Sequence, residues 1–165
     1  SFDAISCRFG FMFFPDLLLA TSEMARVLKP GGRIAVSVWG VEKKNFWVTA
    51  IGGTINQNMQ LTPPPPGAPG MFRCAKSGMI QNLFEEVGLK NISEKEVTSK
   101  LDLDSAEVYW EMMTDVAAPF VAALSKADDE MKAKIKKEVF QKINEKYGNA
   151  NVSLEGSGLV IAGEK

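Results

Sequence analysis

Ser6, Cys7, Arg8 and Phe9 are consecutive, and they gather a hydroxyl, a thiol, a guanidinium and an aromatic ring at the end of the short β-forming run Phe2-Asp-Ala-Ile-Ser-Cys7. The Cys7 thiol is either a nucleophile or a small core residue, and a buried strand end in a chain without histidine favours the core. Arg8 carries a planar fork that fits a carboxylate, either a ligand's or that of Asp16. Phe9, Phe11, Met12, Phe13 and Phe14 crowd the following loop, as a lid over an apolar ligand or as the cap of a core. Trp39, Phe46 and Trp47 pose the same choice between lining a cavity and filling a core. The absence of histidine excludes a Ser-His-Asp triad, a Cys-His pair and any His-ligated metal site within these residues. No side chain stands out as a general base.

These residues need a frame, and the run Ala25-Arg-Val-Leu-Lys-Pro-Gly-Gly-Arg-Ile-Ala-Val-Ser-Val-Trp39 supplies it. Pro30 lacks the amide of a helix interior and biases Lys29 away from the α region, so a helix must stop here. Gly31 and Gly32 are expected to reverse the chain at positive φ. Arg33 to Trp39 is almost continuously apolar, the pattern of a strand covered on both faces. Upstream, Asp16 is expected to cap a helix that places Leu17, Ala20, Met24, Val27 and Leu28 on one face. Strand, loop, helix, turn and strand make a βαβ unit with parallel strands and a right-handed crossover. Ligands of open α/β sheets lie outside the carboxyl ends of the strands, which here are Ser6 to Gly10 and Trp39-Gly40.

Phe2-Asp-Ala-Ile, the loop Cys7-Arg-Phe-Gly-Phe-Met-Phe-Phe-Pro-Asp16 and the stretch Glu23-Met-Ala-Arg-Val-Leu-Lys-Pro-Gly-Gly-Arg33 resemble the fourth to fifth strands of class I S-adenosylmethionine-dependent methyltransferases. The likeness is to the small-molecule branch that includes the ubiquinone and menaquinone biosynthesis enzymes, and it covers residues 1 to 40. It implies an α/β fold, the C-terminal half of a Rossmann-like methyltransferase sheet of strand order 4-5-7-6, with the last strand antiparallel and helices flanking it. It also implies S-adenosylmethionine as cofactor, with Ser6, Cys7, Arg8 and Phe9 flanking its methionine and sulfonium portion. Phe9, Met12, Phe13, Trp39 and Trp47 would then border the acceptor pocket. Methyl transfer of this kind requires no metal.

Residues 1–165 are expected to form a single partial methyltransferase domain. Its composition, 45% apolar and 24% charged, is that of a soluble globular chain. A net charge of -1 removes the long-range attraction of a nucleic-acid or anionic-membrane binder, and no apolar run approaches the roughly 20 residues that cross a bilayer. Neither nucleic acid nor membrane is an expected partner. Asp3, Arg8 and Asp16 interrupt the opening residues as they would not a signal peptide, and Cys7 and Cys74 sit in unlike surroundings; both point to a reducing cytoplasm.

Further on, a helix is expected from about Trp47 to Met59, then an irregular connection at Pro63-Pro-Pro-Pro66 to Gly70, which could also serve as a PxxP ligand. Ser77 is the expected cap of a helix carrying Ile80, Leu83, Phe84 and Val87, ended by Gly88. Asn91 to Leu103, charged and alternating, suits an edge strand. Asp104 with Glu107 reads as the start of a helix that Pro119 breaks. Asp128 to Tyr147 places Met131, Ile135, Val139 and Ile143 on one face and surrounds them with lysines expected to be a solvated surface, and Gly148-Asn-Ala should end it. Val152 to Ala162 reads as an inner strand with a bend at Gly156-Ser-Gly158.

The glycine-rich loop and acidic strand end that hold such a cofactor have no counterpart in these residues, so the chain is expected to be an incomplete and inactive portion of the enzyme. The strand at residues 2–7 would then present an open edge, to be covered by a homodimer partner or by the missing N-terminal half. Two other readings remain open on sequence alone. One is a methyltransferase-like dimerisation or binding module without catalysis; the other is a different Rossmann-type enzyme such as a nucleotide-dependent oxidoreductase.

Overall fold

Asp16 caps the first helix: in a computed structural model, which describes every residue except 149 and 150, its carboxylate accepts the Leu19 N–H at 2.9 Å. This helix, α1, spans Leu17–Val27. Its buried side chains are Leu17, Thr21 and Ala25, a stripe rotated from the expected one, so that Ala20, Met24 and Val27 are only half-buried. Thr21 tolerates burial because its hydroxyl donates to the Leu17 carbonyl at 2.6 Å.

The strand before α1 is β1 (Phe2–Arg8) and the strand after it is β2 (Leu28–Trp39). Extended structure resumes at Leu28, ahead of the expected Arg33. Phe2 pairs with Leu28 but Ala4 already pairs with Arg33, so the residues between bulge out of a parallel ladder. Gly31 has the expected positive φ, +74°. Gly32 does not, and is required for a different reason: a Cβ there would lie 2.8 Å from the Lys29 carbonyl oxygen and 3.1 Å from that of Asp3.

The sheet runs β1-β2-β4-β3, where β3 is Lys90–Leu103 and β4 is Val152–Glu164, antiparallel to β2. The last strand is therefore inserted antiparallel beside β2, and the charged strand takes an edge, as the sequence patterns suggest. In β4 the buried residues are Val152, Leu154 and Gly156, then Ser157, Leu159, Ile161 and Gly163. The alternation changes phase at Gly156-Ser157, the mark of a bulge.

The chain divides into two compact units. The first comprises residues 1–44, 64–98 and 157–165. In it, α1 and a second helix (Met79–Glu86) pack on the sheet through Leu17, Ala25, Ile80 and Phe84 against Ile34, Val36, Val38, Leu159 and Ile161. Ser77 does not cap that second helix. Its hydroxyl donates to Glu94 at 2.5 Å, and the Glu94 carboxylate accepts the Gly78 N–H at 3.1 Å, so a β3 side chain ties the helix start.

The other unit comprises residues 45–63 and 99–156. Numbered in chain order, the helices are α2 (Phe46–Met59), α3 (the Met79–Glu86 helix of the first unit), α4 (Ala106–Val116), α5 (Ala118–Leu124) and α6 (Asp129–Tyr147). Ser105, not Asp104, caps α4 by accepting the Val108 N–H at 3.3 Å. Pro119 both follows α4 and sits in the first turn of α5, where a missing amide is harmless. Asp128 caps α6, and Ile135, Val139 and Ile143 are buried at the expected four-residue steps. One of its lysines is not solvated surface: half-buried Lys142 donates to the Thr54 hydroxyl at 2.8 Å, while exposed Lys146 has its ammonium 4.1 Å from the centre of the Phe46 ring. The expected ending of this helix at Gly148-Asn-Ala lies partly outside the described residues. Pro63–Pro65 form part of an irregular connection. Among the described residues no helix is long and apolar enough to cross a membrane.

Candidate active site

Phe9 is the residue on which the carboxyl ends of β1 and β2 converge. Its φ is +49°, a conformation that costs a bulky residue roughly 1–2 kcal/mol. Two interactions hold it there. Its N–H reaches both the carbonyl oxygen of Ser37 at 2.9 Å and the Ser37 hydroxyl at 3.3 Å, and its ring stacks on Trp39 at 4.3 Å between centroids and 22° between planes. Gly158, opposite Trp39 in the β2–β4 ladder, makes room beneath: a Cβ there would lie 3.1 Å from the Val38 carbonyl oxygen and 3.6 Å from the Phe9 ring.

Strand alternation separates the other residues of the first turn. Ser6 and Arg8 are exposed, whereas Cys7 is half-buried against the core. Ser6 borders a groove of about 520 Å3 over the sheet, lined also by Ala4, Arg33, Ala35, Ala162 and Glu164. Arg8 forms no ion pair with Asp16 among the described residues; Asp16 is occupied as the cap of α1.

Downstream, Phe11–Phe13 form a 3-10 turn in which Phe11 and Met12 are fully buried and Phe13 is 53% exposed. The Gly70 N–H donates to the Met12 carbonyl at 3.3 Å, and the Arg73 guanidinium donates to the carbonyl oxygens of Phe14 and Pro15. Arg73 is thus a clamp on this loop that no local sequence signal reveals. Its neighbour Cys74 is buried, which pushes the thiol's pKa up against the opposing charge of Arg73. Trp47 belongs to the other unit, where its indole N–H donates to Asn45 at 3.2 Å and its carbonyl accepts the Tyr109 hydroxyl at 2.6 Å. Burial pushes the Tyr109 phenol up.

A polar cluster that sequence reasoning missed lies beside Trp39-Gly40. The Ser157 hydroxyl donates to Glu96 at 2.5 Å, the Lys44 ammonium pairs with Glu96 at 2.7 Å, and the Gly40 N–H donates to the Ser157 carbonyl at 2.9 Å. Lys44, and after it Ser157, hold the Glu96 carboxyl below the usual carboxylate range. Glu96 reads in the sequence as one more charge on an edge strand, because its partners lie 52 and 61 residues away. Among the described residues no three acidic or cysteine side chains converge as a metal site.

What this end of the sheet offers is a stacked aromatic pair with the Ser37 hydroxyl at the Phe9 backbone, on a βαβ frame. Residues 1–36 match the family model of a methyltransferase domain. The sequence is 53% identical to demethylmenaquinone methyltransferase of Deinococcus radiodurans over 36 residues, which are 22% of this chain and 15% of that enzyme. A protein of Bacillus halodurans provisionally described as a methyltransferase superposes on 99% of this chain and 64% of its own, with a TM-score of 0.50 and 17% identity. A similar protein from an antibiotic biosynthesis pathway of Anabaena variabilis covers 96% of this chain and 65% of its own, with a TM-score of 0.51 and 14% identity. The chain therefore spans just under two thirds of these structures, and at such identities they speak for the fold alone. The opening segment thus resembles a methyltransferase domain, and the chain as a whole shares the fold of these structures.

Proposed function

We propose that residues 1–165 are the C-terminal portion of a cytoplasmic S-adenosylmethionine-dependent methyltransferase that acts on a small molecule, one partial domain inactive by itself. The observation that carries this reading is the β1–α1–β2 unit, whose residues 1–36 match a methyltransferase domain and whose strands continue into the order β1-β2-β4-β3 with β4 antiparallel. S-adenosylmethionine would supply an electrophilic methyl group for in-line transfer. This chain's residues then bind, orient and exclude water. The turn of Ser6, Cys7, Arg8 and Phe9 flanks the methionine and sulfonium portion. Phe9, Phe13 and Trp39 form the apolar wall for the acceptor, with Met12 as its buried support.

These residues fit one side of the cofactor only, since no glycine-rich loop joins an early strand to a helix and an acidic strand end in this sequence. The open edge of β1 at residues 2–7 is consistent with pairing to the missing half or to a second copy. Calorimetric titration of S-adenosylhomocysteine tests the proposal. A protein extended upstream of Ser1 by the segment its gene encodes should bind one equivalent, and residues 1–165 alone should bind weakly or not at all. No binding by the extended protein overturns the cofactor assignment; tight stoichiometric binding by residues 1–165 overturns the incomplete-site reading.

A further inference from the structure

We infer that Glu96 is a positioning residue for the aromatic wall: by holding Ser157 and Lys44 together it fixes the segment leaving β2 and keeps Trp39 stacked on Phe9. The inference rests on reading the carboxyl ends of β1 and β2 as the ligand end. Its physical content is a short chain of contacts. Trp39 faces Gly158 in the ladder, and the next residue, Gly40, donates to the Ser157 carbonyl. The Ser157 side chain donates to Glu96, and Lys44, which ends the 3-10 turn Glu42–Lys44, returns to the same carboxylate. Both ends of the five-residue exit from β2 (40–44) are thereby fastened to one group on β3.

The bland alternative is that Glu96 only adds charge to an edge strand. Lys44 and Glu96 are 48% and 39% exposed, and such an ion pair alone would hold little. Ser157 changes the balance. It is 2% exposed, so its hydroxyl needs an acceptor, and the Glu96 carboxylate is one at 2.5 Å. The wall then has two anchors: Ser37 for the strained Phe9 backbone, and Glu96 for the chain beyond Trp39.

Fluorine NMR of the chain labelled with 5-fluorotryptophan tests this without any ligand. The resonances of Trp39, Trp47 and Trp110 are assigned by replacing each in turn with Phe. Glu96→Ala should shift or broaden the Trp39 resonance while that of Trp110, in α4, stays in place. Glu96→Gln, which can still accept from Ser157, should restore it substantially. Lys44→Met, with the Ser157 contact intact, should move it less than Glu96→Ala. General unfolding would displace Trp110 as well and would be visible in far-UV circular dichroism; should Glu96→Ala unfold, the Lys44→Met variant decides. An unmoved Trp39 resonance in Glu96→Ala, an unmoved one in Lys44→Met where that variant decides, or a Gln variant no better than Ala overturns the inference. Because no readout involves S-adenosylhomocysteine, failure here and failure of the methyl-transfer reading remain separate results.

Discussion

Two carboxylates in the first unit have their pKa lowered by a basic neighbour, and they differ in what the pairing does. Glu23 and Arg26 lie three residues apart on the exposed side of α1, at 2.8 Å, where water competes for both partners. Glu96 also accepts from a buried hydroxyl, so its charge state bears on packing as well as on the surface. Because the folded Glu96 holds its proton less readily than the unfolded residue does, the unfolded state takes up the proton first as pH falls. The stabilisation is therefore complete at neutral pH and is lost as pH drops below the usual carboxylate range and through the lowered value. In urea denaturation, the stability gap between the native chain and Glu96→Gln should be constant above about pH 5 and narrow in acid. The Glu23 pair cancels from the comparison because both proteins carry it. A gap that widens in acid would refute the assignment.

At the scale of elements, the bulge near the start of β2 shows two adjacent glycines serving different ends. A side chain at Gly31 would meet nothing within 4 Å, and its cost is the positive φ alone, about 1 kcal/mol. A side chain at Gly32 would press on two backbone carbonyls that cannot rotate away, at about 2 kcal/mol. Gly32→Ala should therefore lower the urea midpoint more than Gly31→Ala, and the reverse order would show that the φ requirement governs this turn. The sequence reveals the stop at Pro30 and the pair of glycines, because those constraints are local. It does not reveal that extension resumes at Leu28, because that depends on the Phe2 pairing across the sheet. The same division recurs elsewhere. Asp16 caps as expected, and Asp128 likewise caps α6, because a cap acts three residues away, whereas the tie of α3 to Glu94 and the clamp of Arg73 on Phe14 join residues remote in sequence. In the candidate site, Phe9 and Trp39 are legible as aromatics at strand ends. Their stacking, and the Glu96–Ser157 contact beside it, are products of the sheet order.

For the molecule as a whole, the decisive feature is β1. It is hydrogen-bonded to β2 on one side and stands at the end of the sheet, with Phe2 57% exposed. On its outward face Ala4 and Ser6 open onto the groove of about 520 Å3 with Arg33, Ala35 and Ala162. The opposite edge, β3, is guarded by Lys, Glu and Asp side chains along Lys90–Leu103, but β1 has only Asp3 and Arg8 near its ends. If an upstream segment or a second copy normally covers this edge, residues 1–165 alone should self-associate, and light scattering after size exclusion should record a mass above 18.0 kDa that falls on dilution. Ala4→Lys places a charge in the middle of the exposed stretch and should shift the population toward monomer without altering far-UV circular dichroism, since Ala4 is outside the core. Extension upstream of Ser1 should have the same effect if the covering piece belongs to the same polypeptide, and should leave the association intact if the cover is a second copy. A chain of residues 1–165 that stays monomeric at high concentration, with or without the Lys, would mean that the open edge is tolerated and that neither cover is needed.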